Sequence, residues 1–350
     1  MGIRVRLLQA NHGDSVLVAH ESSQGTFNIL IDGGNSATFR FGPQGKLKGP
    51  LCLLLDELKA KNQHIDLAIL THIDDDHIGG MLSAFKAPGY LKEMVKSIWF
   101  NSSRMITKHF NESAIFENEI YLSTGSPATS IEQAITFEAL LNEIGCEQSP
   151  IIYAGQVLKK GPFTFTILSP DESKLRRLLC VWPDEKNSPD TSGIATDYAY
   201  RFDDLLSSDK FTTDASITNG SSIAFILDAD DKSMLFLGDA HSETVVESLQ
   251  LLGYKSDNKL NVDLIKISHH GSKNNTSPDF LKMVDSSRYL ISTNGLKSGL
   301  PNKVTIARIL ASSEGKIFFN YEKIISRILL ADDIETYAKR LKTLNKDIEL

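Results

Sequence analysis

The sequence predicts an α/β fold, and three observations carry that prediction. Short apolar runs of strand length recur along the chain, amphipathic helical spacing fills intervals between them, and several runs end on a polar residue beside glycine, as strands do at a sheet edge. With 350 residues and 41% hydrophobic content, the chain is long enough for a substantial core, as one large domain with insertions or two moderate ones.

Residues 3–8, 16–19 and 27–31 alternate with turns and read as a β-meander that closes in Asp32-Gly33-Gly34. Residues 35–49, with Gly42, Pro43, Gly45 and Gly49 ahead of Pro50, suit a flexible loop. A helix follows, because Leu51, Leu54, Leu55 and Leu58 recur at three- and four-residue spacing with Asp56, Glu57, Lys59 and Lys61 on the other face. Leu67-Ala68-Ile69-Leu70 then reads as a buried strand that delivers Thr71 and His72 to an edge. Beyond Gly79-Gly80 the pattern predicts a helix from Met81 to about Phe85 and a strand over 97–100.

From 101 to 216 the pattern loosens: a helix over 131–144, a strand pair within 151–168, and a polar stretch 183–214. Within that stretch, residues 185–196 are rich in Ser, Asp, Pro and Gly and suit a mobile surface segment. Strands over 222–227 and 233–237 flank the turn Asp228-Ala229-Asp230-Asp231, and the second ends in Gly238-Asp239. A helix over 243–252 leads to a strand over 263–267, which ends in Ser268-His269-His270-Gly271-Ser272. A further helix, a strand over 289–292, a helix over 304–310 and a strand over 316–321 complete the alternation.

The formal net charge of -7 gives no global basic field that would draw the chain onto nucleic acid or an anionic membrane, so a polyanionic substrate would need a local patch or a metal. Cys52, Cys146 and Cys180 are far apart with no CxxC pair, so neither a zinc knuckle nor a disulfide framework can be read from their spacing, and buried or incidental thiols are expected. The N-terminal stretch lacks an apolar signal core, and no run approaches the roughly 20 apolar residues needed to span a bilayer. We therefore expect a cytoplasmic protein without a membrane partner.

Thr71-His72-Ile73-Asp74-Asp75-Asp76-His77-Ile78-Gly79-Gly80 places two imidazoles and three carboxylates in six positions directly after an apolar strand. Adjacent like charges near a low-dielectric core are costly unless a cation compensates them, and a divalent metal bound by nitrogen and oxygen does so. Zinc suits the mixture, with manganese or iron as other occupants. Asp32, Asp239 and the pair His269-His270 each end another apolar strand, where open α/β sheets present binding groups.

The order ILIDGG, THIDDDHIGG, FLGDAH and IKISHHGS resembles the metallo-β-lactamase superfamily. More narrowly, it is similar to the branch containing the hydrolase-like domain of the bacterial competence channel ComEC, which writes its loop as HxDxDHxGG and ends in HHGS. The similarity runs from about Ile3 to about Tyr321, with motif support in 3–80 and 219–295. The resemblance implies an αββα sandwich, two mixed β-sheets flanked by helices, as a single domain over 1–350 with an inserted region at about 101–216. It implies two divalent ions: His72 and Asp74 serving the first, Asp76 and His77 the second, and Asp239 bridging them. His269 or His270 would complete the second ion's ligand set, and the other would support it or donate a proton to the leaving group.

Asp32 carries the lesser role of orienting the loop, and Asp14 in His12-Gly13-Asp14 faces the site. His12 itself is open between a surface turn residue and a functional one. Asn219 and Ser222 are expected to line the site without binding metal, and His241 is expected at a helix N-terminus rather than at the metals.

Two departures from the family pattern matter. Asp74 stands where most members have His, which favours manganese relative to zinc there, and no third histidine for the first ion is evident, since His109 lies in a loosely patterned segment.

A water activated by two ions about 3.5–4 Å apart would be the nucleophile, so no serine or cysteine is required. The resemblance tilts the substrate towards phosphodiesters in DNA, RNA or nucleotides. Lys266, Lys273, Lys282, Arg288, Lys297 and Lys303 could gather near the HHGS edge, though taken singly each reads as a surface cation. A hydrolase of small esters, lactones or amides on the same metals, and a metal-poor binding or regulatory module of the same fold, are the alternatives.

Overall fold

Alternation along the strands sets the layers of the molecule. In Gly25–Ile31, residues Ile29 and Ile31 face one way and Leu30 the other; in Leu67–Ile69, Leu67 and Ile69 oppose Ala68. Ile29, Ile31, Leu67 and Ile69 join Phe165, Phe225, Phe236 and Leu264 in a core between two sheets. Leu30 and Ala68 instead meet Leu54, Leu55, Leu58, Met81 and Phe85 of covering helices. Leu235, Ile265 and Ile317 do the same on the other outer face, against Val245, Leu249, Ile306 and Ile309. Each such buried aliphatic or aromatic side chain contributes about 1.5–3 kcal/mol. The αββα sandwich with two mixed sheets is therefore the observed architecture.

The computed structural model describes residues 2–110, 129–144, 147–148, 150–181 and 196–350. The first sheet has the spatial order Ile348–Glu349, Gly2–Leu7, Val16–Ser22, Gly25–Ile31, Leu67–Ile69, Ser97–Trp99, Glu147–Gln148. The second runs Leu341–Thr343, Lys316–Phe319, Arg288–Ile291, Leu264–Lys266, Lys232–Phe236, Ala224–Ala229, Phe163–Ser169, Val157–Lys160. In both, an antiparallel meander passes into parallel strands: Gly25–Ile31 pairs in parallel with Leu67–Ile69, and Lys232–Phe236 with Leu264–Lys266.

Several boundaries differ from those the sequence predicts. The helix expected from Met81 begins at Asp75 and runs to Lys86, so Asp75, Asp76 and His77 form its first turn. Carboxylates there are favoured by the unpaired N–H groups and positive dipole end. Gly79 and Gly80 do not break this helix; a Cβ on Gly80 would lie 2.0 Å from the Gly33 carbonyl, so glycine lets the helix close onto the Asp32-Gly33-Gly34 turn. The expected loop 35–49 contains a short helix, Ser36–Phe39, and a two-residue strand pair, Arg40–Phe41 with Leu47–Lys48.

The strand expected over 263–267 is Leu264–Lys266, preceded by Leu260–Val262, which pairs elsewhere with Val284–Ser286. After Tyr321, where the sequence reading stops, the chain adds edge strands to both sheets, Leu341–Thr343 and Ile348–Glu349. The described parts of 101–216 contribute strands to both sheets and a helix, Thr129–Ile144, whose Phe137 packs with Phe85 and Phe100. The mobile segment expected at 185–196 lies, but for its last residue, outside the described residues, as does Cys146. Cys52 is buried beside the Tyr90 hydroxyl. Among the described residues no helix is long and apolar enough to cross a membrane.

Candidate metal centre

Four strand ends supply the site. Asp32 follows Gly25–Ile31, His72 follows Leu67–Ile69, Asp239 follows Lys232–Phe236, and His269 and His270 follow Leu264–Lys266. The parallel pairing of each neighbouring couple puts all four ends on one edge of the sandwich. Asp76 reaches the same place from the first turn of its helix, pressed against the His12-Gly13-Asp14 turn, where Asp14 N–H donates to the Asp76 carbonyl at 3.1 Å. A Cβ on Gly13 would lie 2.0 Å from that carbonyl oxygen, so only glycine permits the approach.

The side chains converge on Asp239. Its Oδ1 lies 3.4 Å from His77 Nε2, and its Oδ2 lies 3.8 Å from each of His72 Nε2, His269 Nε2 and His270 Nε2. His270 Nε2 is 3.3 Å from Asp76 Oδ2, and His72 Nε2 is 3.6 Å from Asp74 Oδ2. Two compact triads result, His72 with His77 and Asp239, and Asp76 with His77 and His270, each with its ligand atoms within 4.8 Å of one another. Two ligand atoms about 2.1 Å from one ion at a tetrahedral angle lie about 3.4 Å apart, which is the scale of these separations.

Hydrogen bonds on the far side of each ring decide which nitrogen faces inward. His77 Nδ1–H donates to Asp32 Oδ2 at 2.8 Å, and His270 Nδ1–H to the Ser292 carbonyl at 3.0 Å. His269 Nδ1–H donates to Asn275 Oδ1 at 2.9 Å; that amide's orientation is fixed because its Nδ2 donates to Asp214 and to the Asp239 carbonyl. Thr71 Oγ1 donates to Asp32 Oδ2 and so accepts from His72 Nδ1 at 3.0 Å. All four imidazoles therefore present Nε2 to the interior, as metal-ligating histidines with supporting partners do.

His72 Nε2, His77 Nε2, His270 Nε2 and Asp239 Oδ1 are buried without a hydrogen-bond partner. Orphaned buried atoms of this kind need an explanation, and a cation supplies it. The donor set fits divalent metal ions.

Electrostatics point the same way. Burial works to lower the His270 imidazole, yet the Asp14 and Asp239 carboxylates hold it up at about 10. Against the same penalty, Asp239 and Asp214 raise His269 to about 8, and Asp239 with Asp32 raises His77 well above its ordinary value. Burial would lift the Asp239 and Asp76 carboxyls, but the surrounding rings hold both well below the usual range. The carboxylates thus favour the protonated rings of His77, His269 and His270, and a divalent ion binding there displaces protons.

The remaining predicted residues fall around this centre. Asp32, in the left-handed region at φ 56°, accepts from Thr71 N–H and Oγ1 at 2.8 Å each as well as from His77, so it orients the loop and stands behind the ligand atoms. Asp14 lies behind His270, its Oδ1 3.2 Å from Nδ1 and its Oδ2 accepting from Lys266 at 2.5 Å. Ser222 Oγ accepts from Asp239 N–H at 3.0 Å and is 3.5 Å from His72 Nδ1. Asn219 backs His269, 3.4 Å from its Nδ1.

His241 sits at the N-cap of the helix Ser242–Leu251, and its Nδ1 accepts from Lys174 at 2.8 Å, away from Asp239. His12 is half-buried near Asp76 with Nε2 lacking a partner, and burial lowers its pKa. His109 packs on Phe110 and Tyr153, apart from the centre.

One expectation is corrected. Lys266 and Lys303 are not surface cations but buried, paired with Asp14 and Asp333, because each long side chain enters the interior where a carboxylate receives it. Lys273, Lys282 and Lys297 remain exposed. Sequence reasoning did not single out Asp214, Asn275, Thr71 or Ser292 as supports. Thr71 precedes His72 and Ser292 ends the apolar run 289–291, so both could have been read from their places; Asp214 and Asn275 lie in segments with no spacing signal.

Comparison with known proteins agrees with the motif reading. Residues 9–112 match the family model of the metallo-beta-lactamase superfamily. The chain is 20% identical over 293 residues to ComE operon protein 3 of Bacillus subtilis (strain 168), an alignment covering 82% of this chain and 28% of that protein. It thus spans less than a third of that relative's length. Among solved structures it is similar to the metallo-beta-lactamase fold protein YhfI from Bacillus subtilis, at 13% identity and a TM-score of 0.42, covering 100% of both chains. It is also similar to CmlA, a diiron beta-hydroxylase from Streptomyces venezuelae, at 11% identity and a TM-score of 0.43, covering 100% of this chain and 54% of that one.

Proposed function

We propose, from the metallo-beta-lactamase superfamily match as premise, that this chain is a metal-dependent hydrolase cleaving phosphodiester bonds in nucleic acid or nucleotides. The observation that carries the reading is the inward Nε2 of His72, His77, His269 and His270 around the buried Asp239 carboxylate. These residues with Asp74 and Asp76 would hold two divalent ions, zinc or manganese, and we place the activity in the cytoplasm.

When bound, such a pair supplies Lewis acidity that ionises water near neutral pH and offsets charge developing on a phosphoryl oxygen. The chain's part is to hold the donors still. Asp32 fixes His77 and Thr71, Thr71 fixes His72, and Asp14 with Ser292 fixes His270. Asp76 and His77 stand in the first helical turn, so a stiff backbone positions both. His72, His77, Asp239 and His270 are all buried, which keeps bulk water from screening their charges.

The motif order supports phosphodiesters, and charge favours the smaller among them. The net charge is -7, and two of the cations expected at the HHGS edge, Lys266 and Lys303, are held in buried ion pairs, which leaves Lys273, Lys282 and Lys297 exposed. A duplex tracked by its backbone needs a row of free cations.

The test is an assay of protein reconstituted with Zn2+ or Mn2+ on a bis-aryl phosphodiester, a single-stranded oligonucleotide, a thioester and a lactone. Turnover of the phosphodiester or oligonucleotide, lost on chelation and restored by metal, is expected. Turnover confined to the thioester or lactone would transfer the reading to small-molecule hydrolysis. Less than one bound metal per chain with no turnover of any substrate would favour a binding module.

A further inference from the structure

We propose that the adjacent histidines are divided between the two ions, His269 serving the first with His72 and Asp74, and His270 the second with Asp76 and His77, with Asp239 between them. The inference rests on the metal-centre reading above and assigns the donor that the first ion lacks in the sequence. Without His269 that ion has His72, Asp74 and the shared Asp239, whereas the second already has Asp76, His77, His270 and Asp239.

Two walls of the site carry the division. The segment through Asn219 and Ser222 stands behind both His72 and His269: Ser222 Oγ is 3.5 Å from His72 Nδ1, and Asn219 Nδ2 is 3.4 Å from His269 Nδ1. A second wall, the His12-Gly13-Asp14 turn, stands behind both Asp76 and His270, through Asp14 N–H to the Asp76 carbonyl and Asp14 Oδ1 3.2 Å from His270 Nδ1. His270 closes on Asp76 and His77 in one compact triad, while His77 also belongs to the triad of His72 and Asp239, and His269 lies outside both. His269 and Asp74 are also the most exposed donors, their side chains 28% and 30% accessible, against 19% for Asp76 and 0–3% for His72, His77, His270 and Asp239. They form the open side of the centre.

The backbone between the two rings explains how neighbours in sequence face different ions. His269 (φ 46°, ψ 52°) and His270 (φ 52°, ψ 24°) are consecutive left-handed residues, and their rings stand 5.8 Å apart at 74°. The left-handed conformation is disfavoured for any non-glycine residue, because the Cβ crowds the following carbonyl oxygen. Two such residues in succession are a strain that ligand placement would account for. His72, His269 and His270 each have Nε2 3.8 Å from Asp239 Oδ2, so that carboxylate is within reach of both groups.

The experiment counts metal rather than turnover. Chelator-stripped full-length protein is titrated with Zn2+ alone, and bound zinc is measured by calorimetry and atomic absorption for wild type, His269→Ala, His269→Gln and His270→Ala, with folding checked by circular dichroism. Wild type should take two ions, and each single variant should keep one tight site while the other weakens by at least about a hundredfold, beyond what loss of a ligand's hydrogen-bonding support costs.

Paired variants then identify the site. His269→Ala with Asp74→Ala should still bind one ion, because both changes strike the same site; His269→Ala with Asp76→Ala should bind none. The reverse pattern, or two unchanged tight sites in folded His269→Ala and His269→Gln, would overturn the division. If wild type itself binds no zinc, the metal-centre reading fails instead, and the two failures are distinct.

Discussion

The strand Gly25–Ile31 and the strand Lys232–Phe236 hold equivalent places, each the last of an antiparallel meander and each paired in parallel with the next strand of its own sheet, Leu67–Ile69 and Leu264–Lys266. Each is also followed by an aspartate, and the two aspartates act differently. Asp32 turns back to accept from Thr71 N–H, Thr71 Oγ1 and His77 Nδ1, so its oxygens are satisfied within the protein. Asp239 has an Oδ1 with no hydrogen-bond partner and imidazole nitrogens on every near side.

The next strand repeats the contrast. The first half spreads its donors from His72 through the turn of a helix to His77, while the second places His269 and His270 in one left-handed turn. A strand end thus supplies a carboxylate, and the neighbouring donors decide whether it supports a ligand or becomes one.

The sharpest way to break this comparison is to remove each aspartate. Asp239→Ala should lower turnover by at least about a hundredfold, no less than loss of a single oxyanion donor, while circular dichroism stays native. Full activity would end the proposed site.

Next in size is the lock between the halves, where Lys266 of the second sheet meets Asp14 of the first. Lys266→Met leaves the buried Asp14 carboxylate with only the His270 ring as a charged partner and should cost up to about 3–5 kcal/mol in denaturant unfolding. Adding Asp14→Asn should return most of it; no recovery would show that the pair is not what the lysine stabilises.

Asp32→Asn is gentler, because the amide oxygen still accepts from Thr71 but the charge facing His77 is gone. Zinc affinity should fall about 10–100-fold with the fold retained. A loss as complete as that of Asp239→Ala would erase the distinction between the two aspartates.

The smallest effect belongs to Glu57, whose carboxylate meets Arg6, the residue that also grips Asp347 near the C-terminus. Arg6 holds the Glu57 pKa down at about 2, so its contribution is present above the ordinary value of 4.5 and lost as pH falls through about 2. The group is about a third exposed, so Glu57→Gln should cost well under about 1 kcal/mol at neutral pH and nothing near pH 2, read by melting at the two pH values.

Much of the centre was legible because its signal is local. An apolar run followed by a polar residue marks a strand end, and that pattern picks out Asp32, His72, Asp239 and His269-His270 from residues within a few positions of each. The helix start was missed because Gly79-Gly80 reads as punctuation, although in the folded chain those glycines are where the helix meets the Gly33 carbonyl. The buried state of Lys266 was missed because a lysine's default is solvent, and its partner Asp14 is 252 residues away.

The sequence by itself determined the α/β class, the layered alternation and the set of side chains able to meet a metal, since these follow from periodicity and from chemistry at strand ends. Only the tertiary structure decided which carboxylate faces the centre, which nitrogen of each ring is turned inward, and which wall stands behind each histidine. Those outcomes depend on hydrogen bonds such as His269 to Asn275 and Asn275 to Asp214, made between elements whose meeting is set by packing and not by any local pattern of residues.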